Sequence, residues 1–329
     1  MQPAISIVIP VYNVAPYLRE CLDSVVAQTF QNWEAVCVDD GSTDGCDEIL
    51  DEYAAKDARI KVIHNSNQGV CAARNAALEL ANGTWIGFVD ADDAVSPNWY
   101  SVWYGIVSSQ PSVQAVKMVD HIWSGGDMPT TVTNWETRFY TDSNEISNYA
   151  ASCVTGYCIA RYMIKKDVIG NKKFITGVRI NEDVIFIANI LFSISSLCVC
   201  SYDGYFYRMR PGSALHSGIT DYDIFLFIKG VENCIKNKSI LRQDALILYK
   251  HWAGNRIITD ILRCLVYRGI YPSKSISETQ KLRKAQTIIA DKMGIKKYCC
   301  MVLLLYGRRI GFLIVLLLFK LQCLCRKII

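Results

Sequence analysis

Three carboxylates stand within four residues at the end of an apolar run, in the order Asp90-Ala91-Asp92-Asp93. The run itself, residues 85–89, is typical of a buried strand of a parallel sheet, so the acids follow the strand's carboxyl end. Carboxylates this close repel one another unless a cation lies among them. Mg²⁺ and Mn²⁺ prefer oxygen ligands and commonly bridge to phosphates. The pattern therefore predicts a divalent-cation site, with acids that cap the next helix as the alternative.

Polar residues also follow two earlier strand-like runs. The run at residues 5–9 leads to Tyr12, and the run at residues 33–38 leads to Asp39 and Asp40. Stretches of helical periodicity separate these runs, and strands that alternate with helices predict a parallel sheet covered on both faces. In such sheets, ligands bind beyond the carboxyl ends of the strands. We therefore expect all three groups of polar residues to face one crevice.

Four segments resemble the successive signatures of the family 2 glycosyltransferases. They are Ile-Val-Ile-Pro-Val-Tyr-Asn at 7–13, Val-Asp-Asp-Gly-Ser-Thr-Asp at 38–44, Asn-Gln-Gly-Val-Cys-Ala-Ala-Arg-Asn at 67–75 and Phe-Val-Asp-Ala-Asp-Asp at 88–93. The resemblance is specific over residues 5–100 and looser up to residue 216. It implies a GT-A fold, which is an α/β fold with a Rossmann-like, doubly wound and mainly parallel sheet. It also implies a nucleotide-sugar donor and inversion at the anomeric carbon.

The resemblance assigns donor binding to residues of all four segments. Tyr12 resembles the aromatic residue that stacks on the nucleobase, and Asp39 resembles the acid that accepts a hydrogen bond from the base. Arg74 resembles an arginine near the phosphates, and Asp90 the residue near the ribose. The nucleotide-sugar-binding residues predicted in these segments are Pro10, Tyr12, Asp39, Asp40, Arg74, Asn75, Asp90 and Ala91. The alternatives are loop packing for Tyr12, a helix cap for Asp40 and a surface salt bridge for Arg74.

The resemblance also supplies candidate metal ligands and phosphate-binding residues. Asp92 and Asp93 resemble the family's metal-binding pair, which implies Mn²⁺ or Mg²⁺ as cofactor. His216 stands where some relatives have another metal ligand, and a solvated loop histidine is the alternative. Arg208 and Arg210, in and after a Tyr-x-Tyr-Arg run, are expected to bind the diphosphate.

Glu182-Asp183 resembles the acidic pair that begins a helix in this family. An inverting transfer needs a base that deprotonates the attacking hydroxyl. By resemblance this base is Asp183, with Glu182 second and helix capping as the alternative. Because a helix N-terminus lowers the pKa of a carboxylate, we expect the base to rely on position more than on a raised pKa. The preceding stretch, residues 158–169, resembles a segment in which an acceptor-side helix leads to this acid.

The chain has 329 residues, enough for two domains or for one domain with a large extension. We predict a nucleotide-sugar-binding half at residues 1–100, an acceptor-binding and catalytic half at 101–220, and a helical extension at 221–329. The net charge of +4 gives no nucleic-acid-binding footprint. The fourteen cysteines follow neither disulfide nor zinc spacing, which indicates reduced thiols in the cytoplasm.

The C-terminal tail, residues 299–329, combines apolar blocks with basic residues. Its apolar block at 310–319 is too short to span a bilayer, which takes about 20 residues. We expect a basic interfacial helix on the inner face of the cell membrane; a helix pair buried in the protein or in a homodimer is the alternative. No basic segment precedes the first strand, so no signal peptide is expected.

These observations predict a metal-assisted glycosyltransferase. It would move a sugar from an NDP-sugar, with UDP favoured, to a hydroxyl of a glycan or lipid-linked glycan. One rival is a sugar-phosphate nucleotidyltransferase, which would need a Gly-rich loop near the N-terminus. The other is a catalytically silent nucleotide-sugar-binding scaffold in a membrane glycan-assembly complex, and the complete set of acids argues against it.

Overall fold

The computed structural model describes residues 2–123, 127, 129–152, 158–210, 220–236, 245–250, 252–254, 256–257, 260, 274–275 and 277–278. The strands in this part of the chain are β1 Ile5–Val11, β2 Trp33–Asp39, β3 Ile60–His64, β4 Trp85–Phe88, β5 Ala94–Val95, β6 Ala115–Lys117, β7 Asp120–Trp123, β8 Thr137–Tyr140, β9 Tyr162–Lys165, β10 Leu197–Cys200 and β11 Tyr205–Arg208. The α-helices are α1 Ala15–Val26, α2 Cys46–Lys56, α3 Val70–Leu80, α4 Trp99–Ser109, α5 Ser143–Ser152, α6 Lys166–Ile169, α7 Glu182–Leu191 and α8 Asp221–Lys236.

The described strands form one large sheet and one small sheet. The large sheet has the order β3-β2-β1-β4-β9-β6-β10-β8, and the small sheet has the order β5-β11-β7. In the large sheet β1, β2, β3 and β4 are parallel, as are β6 and β10, whereas β8 and β9 are antiparallel to their neighbours. The prediction of an α/β fold with a mainly parallel sheet is confirmed.

The first four strands are the part that sequence periodicity predicts best. Every residue of β2 is buried, as expected for a strand covered on both faces. β1 lies between β2 and β4, so the chain leaves β1 on one side for β2 and later returns on the other for β4. Ligands of doubly wound sheets bind at such a switch point, outside the carboxyl ends of the strands.

The predicted helix at residues 158–169 is wrong over most of its length. The segment holds a 3₁₀ turn at Ile159–Arg161, strand β9 and the four-residue helix α6. β9 pairs with β4 on one side and with β6 on the other. Its first three residues are buried, because the strand joins the two parallel parts of the sheet. The helix was expected from the resemblance, and pairing on both edges makes the middle of this stretch a strand instead.

The chain divides into two compact units. The first comprises Met1–Ile146 and Tyr157–Pro211, and the second comprises Ser147–Gly156 and Gly212–Ile329. The first unit contains every described strand, whereas Ser147–Gly156 and the residues from Gly212 onward fall in the second unit. The boundaries at residues 100 and 220 stay predictions. In the second unit the Asp221 carboxylate, at the start of α8, accepts hydrogen bonds from the backbone N–H groups of Lys274 and Ser275 at 3.0 and 2.9 Å.

The cysteines of the described residues agree with the prediction of reduced thiols. All eight are free, and seven of them are buried. Among the described helices, none is both long and apolar enough to cross a bilayer. The tail at residues 299–329 lies outside the described residues.

Candidate active site

The carboxyl ends of β1, β2 and β4 meet at one edge of the sheet, as the sequence predicts. Tyr12 follows β1 with its side chain 49% exposed, which leaves the ring free to stack on a flat ligand. The next residue, Asn13, has a left-handed φ of 51°. Its side-chain oxygen accepts the Thr43 N–H at 2.8 Å, and its N–H donates to Ser42 Oγ at 3.1 Å. These bonds fasten the loop after β1 to the loop after β2.

Asp39 and Asp40 are both buried, and their carboxylates have different partners. Asp39 accepts the Ser42 N–H at 3.0 Å on one oxygen and faces His64 Nδ1 at 3.2 Å on the other. Asp40 accepts the N–H groups of Gln68 and Gly69, at 2.9 and 2.7 Å, directly before α3. Asp40 therefore fixes the start of α3, which agrees with the helix-capping alternative. Contact of Asp39 with a nucleobase stays a prediction.

Arg74 is the centre of a buried ion-pair bridge. Its side chain is 5% exposed and lies 2.9 Å from Asp90 and 2.8 Å from Glu182, both distances joining guanidinium nitrogens to carboxylate oxygens. Its charge also lies 5.3 Å from the centre of the Phe174 ring. These two acids raise the pKa of Arg74 against the opposing effect of burial. The structure agrees with the salt bridge that was the alternative for Arg74, except that this salt bridge is buried; it joins the end of β4 to the start of α7. Contact of Arg74 with phosphates stays a prediction.

The acidic cluster after β4 is held by a tyrosine of β11. The buried Tyr205 hydroxyl accepts the Asp90 N–H at 3.1 Å and donates to Asp93 Oδ2 at 2.6 Å. The other Asp93 oxygen accepts the Arg208 N–H at 2.8 Å. Burial, followed by the charges of Asp90 and Asp92, raises the pKa of Asp93 well above its usual range. Both oxygens of Asp93 therefore have protein partners, which favours a structural role over the predicted metal-binding one.

The two arginines of the Tyr-x-Tyr-Arg region have separate environments. Arg208 is buried, lies 3.9 Å from the centre of the Trp123 ring and pairs with Glu20. Its Nε donates to the backbone oxygen of Asp92 at 2.8 Å. Arg210 is 21% exposed and forms an ion pair with the Asp92 carboxylate. Of the two, Arg210 is the one with access to an incoming diphosphate.

The remaining carboxylate oxygens of the cluster suit a hard divalent cation. Asp92 Oδ1 and Asp90 Oδ2 have no protein partner among the described residues, and the two side chains are 20% and 31% exposed. Within the same part of the chain, no group of three or more acids, histidines or cysteines forms a complete metal cage. Mg²⁺ and similar ions are commonly held by one or two carboxylates together with substrate phosphates. The free oxygens of Asp90 and Asp92 therefore fit Mn²⁺ or Mg²⁺. The predicted ligand His216 lies outside the described residues.

Asp183 is the second residue of α7, and its pKa differs from the prediction. Burial, followed by the neighbouring charge of Glu182, raises this pKa from 3.8 to about 7, although Arg74 and the Val184 N–H oppose the shift. The expectation that the helix N-terminus lowers the pKa is therefore wrong. The dipole effect is worth 0.3–1 kcal/mol at exposed positions, whereas each pKa unit corresponds to 1.36 kcal/mol. Loss of hydration is the larger effect here.

Three other predicted donor-binding residues contact neighbouring parts of the protein or are buried. The Asn75 side chain forms a pair of 2.9 Å hydrogen bonds with the backbone N–H and C=O of Phe174. Pro10 pairs with Val38 across the sheet, and Ala91 is buried. Contact with a donor is untested for all three.

Several residues of the site have no sequence signal that could have identified them. Phe174 stacks on Phe186 of α7 with ring centres 4.1 Å apart, directly beside the Arg74 bridge. Glu20 and Tyr17 of α1 contact Arg208, the first as its ion-pair partner. These residues carry ordinary helix or loop patterns, and only the fold brings them to the site.

Comparison with known proteins agrees with this arrangement. Residues 6–167 match the family model described as "Glycosyl transferase family 2". The glycosyltransferase GlyG of Streptococcus pneumoniae is 30% identical over 253 residues, which cover 71% of this chain and 82% of GlyG. The uncharacterized glycosyltransferase EpsJ of Bacillus subtilis is 50% identical over 96 residues, and this match spans 28% of EpsJ.

A solved structure shows the same fold. The crystal structure of S. aureus TarS 1-349 in complex with UDP-GlcNAc superposes with a TM-score of 0.71 at 17% sequence identity, covering 97% of this chain and 92% of TarS 1-349. The likeness identifies the fold as GT-A. The GlyG match covers most of the chain. The protein belongs to glycosyltransferase family 2 and is a glycosyltransferase.

Proposed function

We propose that this glycosyltransferase takes its sugar from a nucleoside-diphosphate sugar, with UDP as the favoured nucleotide. The acceptor would be a hydroxyl of a glycan or of a lipid-linked glycan, and the transfer would invert the anomeric centre. The observation that carries the proposal is the Arg74 bridge, which joins Asp90 at the end of β4 to Glu182 at the start of α7 and so brings the Glu182-Asp183 pair to the acidic edge of the sheet. Burial raises the pKa of Asp183 there to about 7. A general base works best when its pKa lies near the working pH. The UDP-sugar in the TarS complex supports the choice of nucleotide.

The residues of the crevice divide into donor-binding and positioning groups in this proposal. Tyr12 stacks on the nucleobase and Asp39 accepts a hydrogen bond from it, because both lie at the ends of their strands facing the switch point. Arg210 binds the diphosphate. Arg74 holds Asp90 and Glu182 in place through the bridge of 2.9 and 2.8 Å contacts, instead of reaching the phosphates itself.

Asp92 would hold the divalent cation, with Asp90 beside it. When bound, the cation would neutralise negative charge on the diphosphate that leaves. Asp93 would help to position Asp90, because the Tyr205 hydroxyl donates to Asp93 and accepts the Asp90 N–H. This assignment narrows the pair predicted from the sequence to one main ligand.

Asp183 performs the proton transfer. It accepts the proton of the acceptor hydroxyl while the hydroxyl oxygen bonds to the anomeric carbon, opposite the bond to the diphosphate. That bond breaks, the nucleoside diphosphate takes its electron pair, and the configuration at the anomeric carbon is inverted. Glu182 is less available for this role, because one of its oxygens forms an ion pair with the Arg74 guanidinium at 2.8 Å, whereas Asp183 accepts a hydrogen bond from the neutral Val184 N–H.

A donor screen with two variants tests the proposal. Wild-type protein is incubated with UDP-, GDP- and dTDP-sugars and Mn²⁺, and hydrolysis and transfer are followed by chromatography and anomeric NMR signals. We expect turnover of a UDP-sugar, and a loss of about 10²–10⁴ in transfer for Asp183→Asn with unchanged nucleotide affinity. Glu182→Gln should lose less. A larger loss in Glu182→Gln would assign the base to Glu182, and retention of the starting anomeric configuration would refute the mechanism.

The location of the enzyme follows from the proposed acceptor. A lipid-linked glycan is reached at a membrane surface, and we propose that residues 299–329 bring the protein, otherwise cytoplasmic, to that surface as a peripheral protein. Association of the tail with a second copy of the chain is the competing outcome.

A further inference from the structure

A groove of about 640 Å³ lies between α4 and the segment 131–139, which leads into β8. Fourteen described residues line it, and none of these fourteen carries a charge at neutral pH. The cavity at Gln2, residues 165–173 and their neighbours is different, because four lysines and two acids line it. The described wall of the groove at α4 is therefore neutral, in contrast to the charged wall of the other cavity.

The groove presents the one exposed tryptophan among the seven of the chain, all of which are described. Trp135 is 41% exposed, whereas the other six are at most 6% exposed. The Trp135 ring packs edge-on against Tyr202, with ring centres 5.3 Å apart. Phe139, further along the same wall, is 39% exposed. Large aromatic side chains exposed on a concave surface indicate a ligand with an apolar face.

Hydrogen bonds on both sides of Trp135 fix its backbone. Before it, the Val132 N–H donates to Asp203 Oδ1 at 2.9 Å. After it, the Glu136 N–H donates to Ser201 Oγ at 2.8 Å, and the Ser201 N–H donates to the Glu136 oxygen at 3.0 Å. The tryptophan is therefore presented by a braced segment, which reduces the entropy lost when a ligand binds.

Asparagine, glutamine, serine and threonine make up half of the groove's fourteen lining residues. Four of these have no side-chain partner in the described part of the chain, and they are Gln110, Thr131, Thr133 and Thr137. Amides and hydroxyls can each donate and accept, which matches the hydroxyl groups around a sugar ring. The C–H face of the same ring can pack on an indole. An anionic polymer would instead favour a wall with cationic residues.

We propose that this groove binds a neutral oligosaccharide stretch of the acceptor glycan, with Trp135 as its stacking platform. The proposal rests on the proposed glycan acceptor and adds a second binding site away from the reacting hydroxyl. The groove is connected to the catalytic edge. The Tyr202 hydroxyl lies 2.8 Å from Ser96 Oγ, and Tyr205, which holds Asp93, follows three residues later. Three extended residues span at most about 10 Å.

Gly105 of α4 provides a matched pair of variants. It lines the groove, and a Cβ added there would meet no atom within 4 Å. Replacing a mid-helix glycine by either Ala or Leu raises helix propensity. Gly105→Ala leaves the groove open, whereas Gly105→Leu fills part of it. Tyr104→Ala controls for loss of an exposed aromatic residue, because Tyr104 lies on the same helix and packs against Phe30 instead of lining the groove.

The test measures protection of Trp135 from iodide quenching in the full chain. The probes are the tetrasaccharides of β1,4-linked glucose, α1,4-linked glucose and β1,4-linked N-acetylglucosamine, with a polyphosphate as anionic control. Hydrolysis of the donor without acceptor is measured in parallel. We expect at least one neutral tetrasaccharide to reduce quenching in wild-type, Gly105→Ala and Tyr104→Ala proteins, and to have no effect in Gly105→Leu. Trp135→Phe should lose at least about tenfold in oligosaccharide affinity by calorimetry while donor hydrolysis is unchanged.

Three results would overturn the assignment. They are absence of protection by every tetrasaccharide, protection that survives in Gly105→Leu, and a Trp135 already shielded from iodide without sugar, which would mean that protein covers the groove. Failure of the proposed function has a different signature. In that case the oligosaccharide would still protect Trp135, but wild-type protein would hydrolyse no nucleotide sugar.

Discussion

Replacing Asp183 by Asn should stabilise the protein, and increasingly so as the pH rises. In the folded state burial raises the pKa of Asp183 from 3.8 to about 7. Between these two values the folded state holds a proton that the unfolded state releases, so wild-type stability falls as the pH rises through this window. Asparagine has a similar shape and no charge to desolvate. The variant therefore lacks this loss of stability.

The size of the effect follows from the pKa shift. From pH 5 to pH 7 the unfolded carboxyl is ionised and the folded one is protonated, which is two pH units at 1.36 kcal/mol each. The free energy of unfolding of Asp183→Asn, relative to wild type, should therefore rise by about 2–3 kcal/mol between pH 5 and pH 8. Comparing the two pH values cancels any constant loss of packing or hydrogen bonding in the variant.

Urea unfolding at pH 5 and pH 8, in EDTA, measures this difference. The matched control is Asp47→Asn, because Asp47 is also the second residue of its helix, α2, but is exposed. Its relative stability should change by less than about 0.5 kcal/mol between the two pH values. A difference for Asp183→Asn that is no larger than the difference for Asp47→Asn would refute the argument that burial raises the pKa of Asp183.

Three further predictions concern the acidic cluster and the tail. Tyr205→Phe should lower the free energy of unfolding by about 1–3 kcal/mol in urea denaturation, because it leaves buried partners at Asp90 and Asp93 unpaired. Tyr53→Phe, which removes an exposed bond to Asp23, should cost less, and equal losses would contradict a structural role for the Tyr205 hydrogen bonds. Asp92→Asn should abolish the Mn²⁺ dependence of UDP binding in calorimetry with the fold intact. If EDTA does not change the affinity of the wild-type protein for UDP, the assignment of a metal site is refuted. Full-length protein should float with anionic vesicles and be partly released by high salt, since each basic residue near the surface contributes on the order of 1 kcal/mol; a truncation after Lys297 should stay soluble and hydrolyse donor, and failure of full-length protein to float would assign the tail to another role.

The sequence by itself determined the sheet that carries the site and most of the acids at its edge. β1, β2 and β4 are short apolar runs bounded by turn residues, and such runs are set by local composition. Because parallel strands end at the same edge, the positions of Tyr12, Asp39 and Asp90 could be predicted without knowledge of any side-chain contact. The order of four short signatures along the chain was enough to indicate the family.

The tertiary structure alone decided what each of these acids contacts. Arg74 meets Glu182 across 108 residues of sequence, and Asp93 meets Tyr205 across 112. No local pattern encodes such pairs, because they depend on how the strands are ordered in the sheet. The same holds for β9, where the hydrogen bonds to strands on both sides turn a predicted helix into a strand. The pKa of Asp183 is raised first by burial and then by the adjacent Glu182. The burial depends on how distant segments pack, so the local helix position predicted the wrong direction.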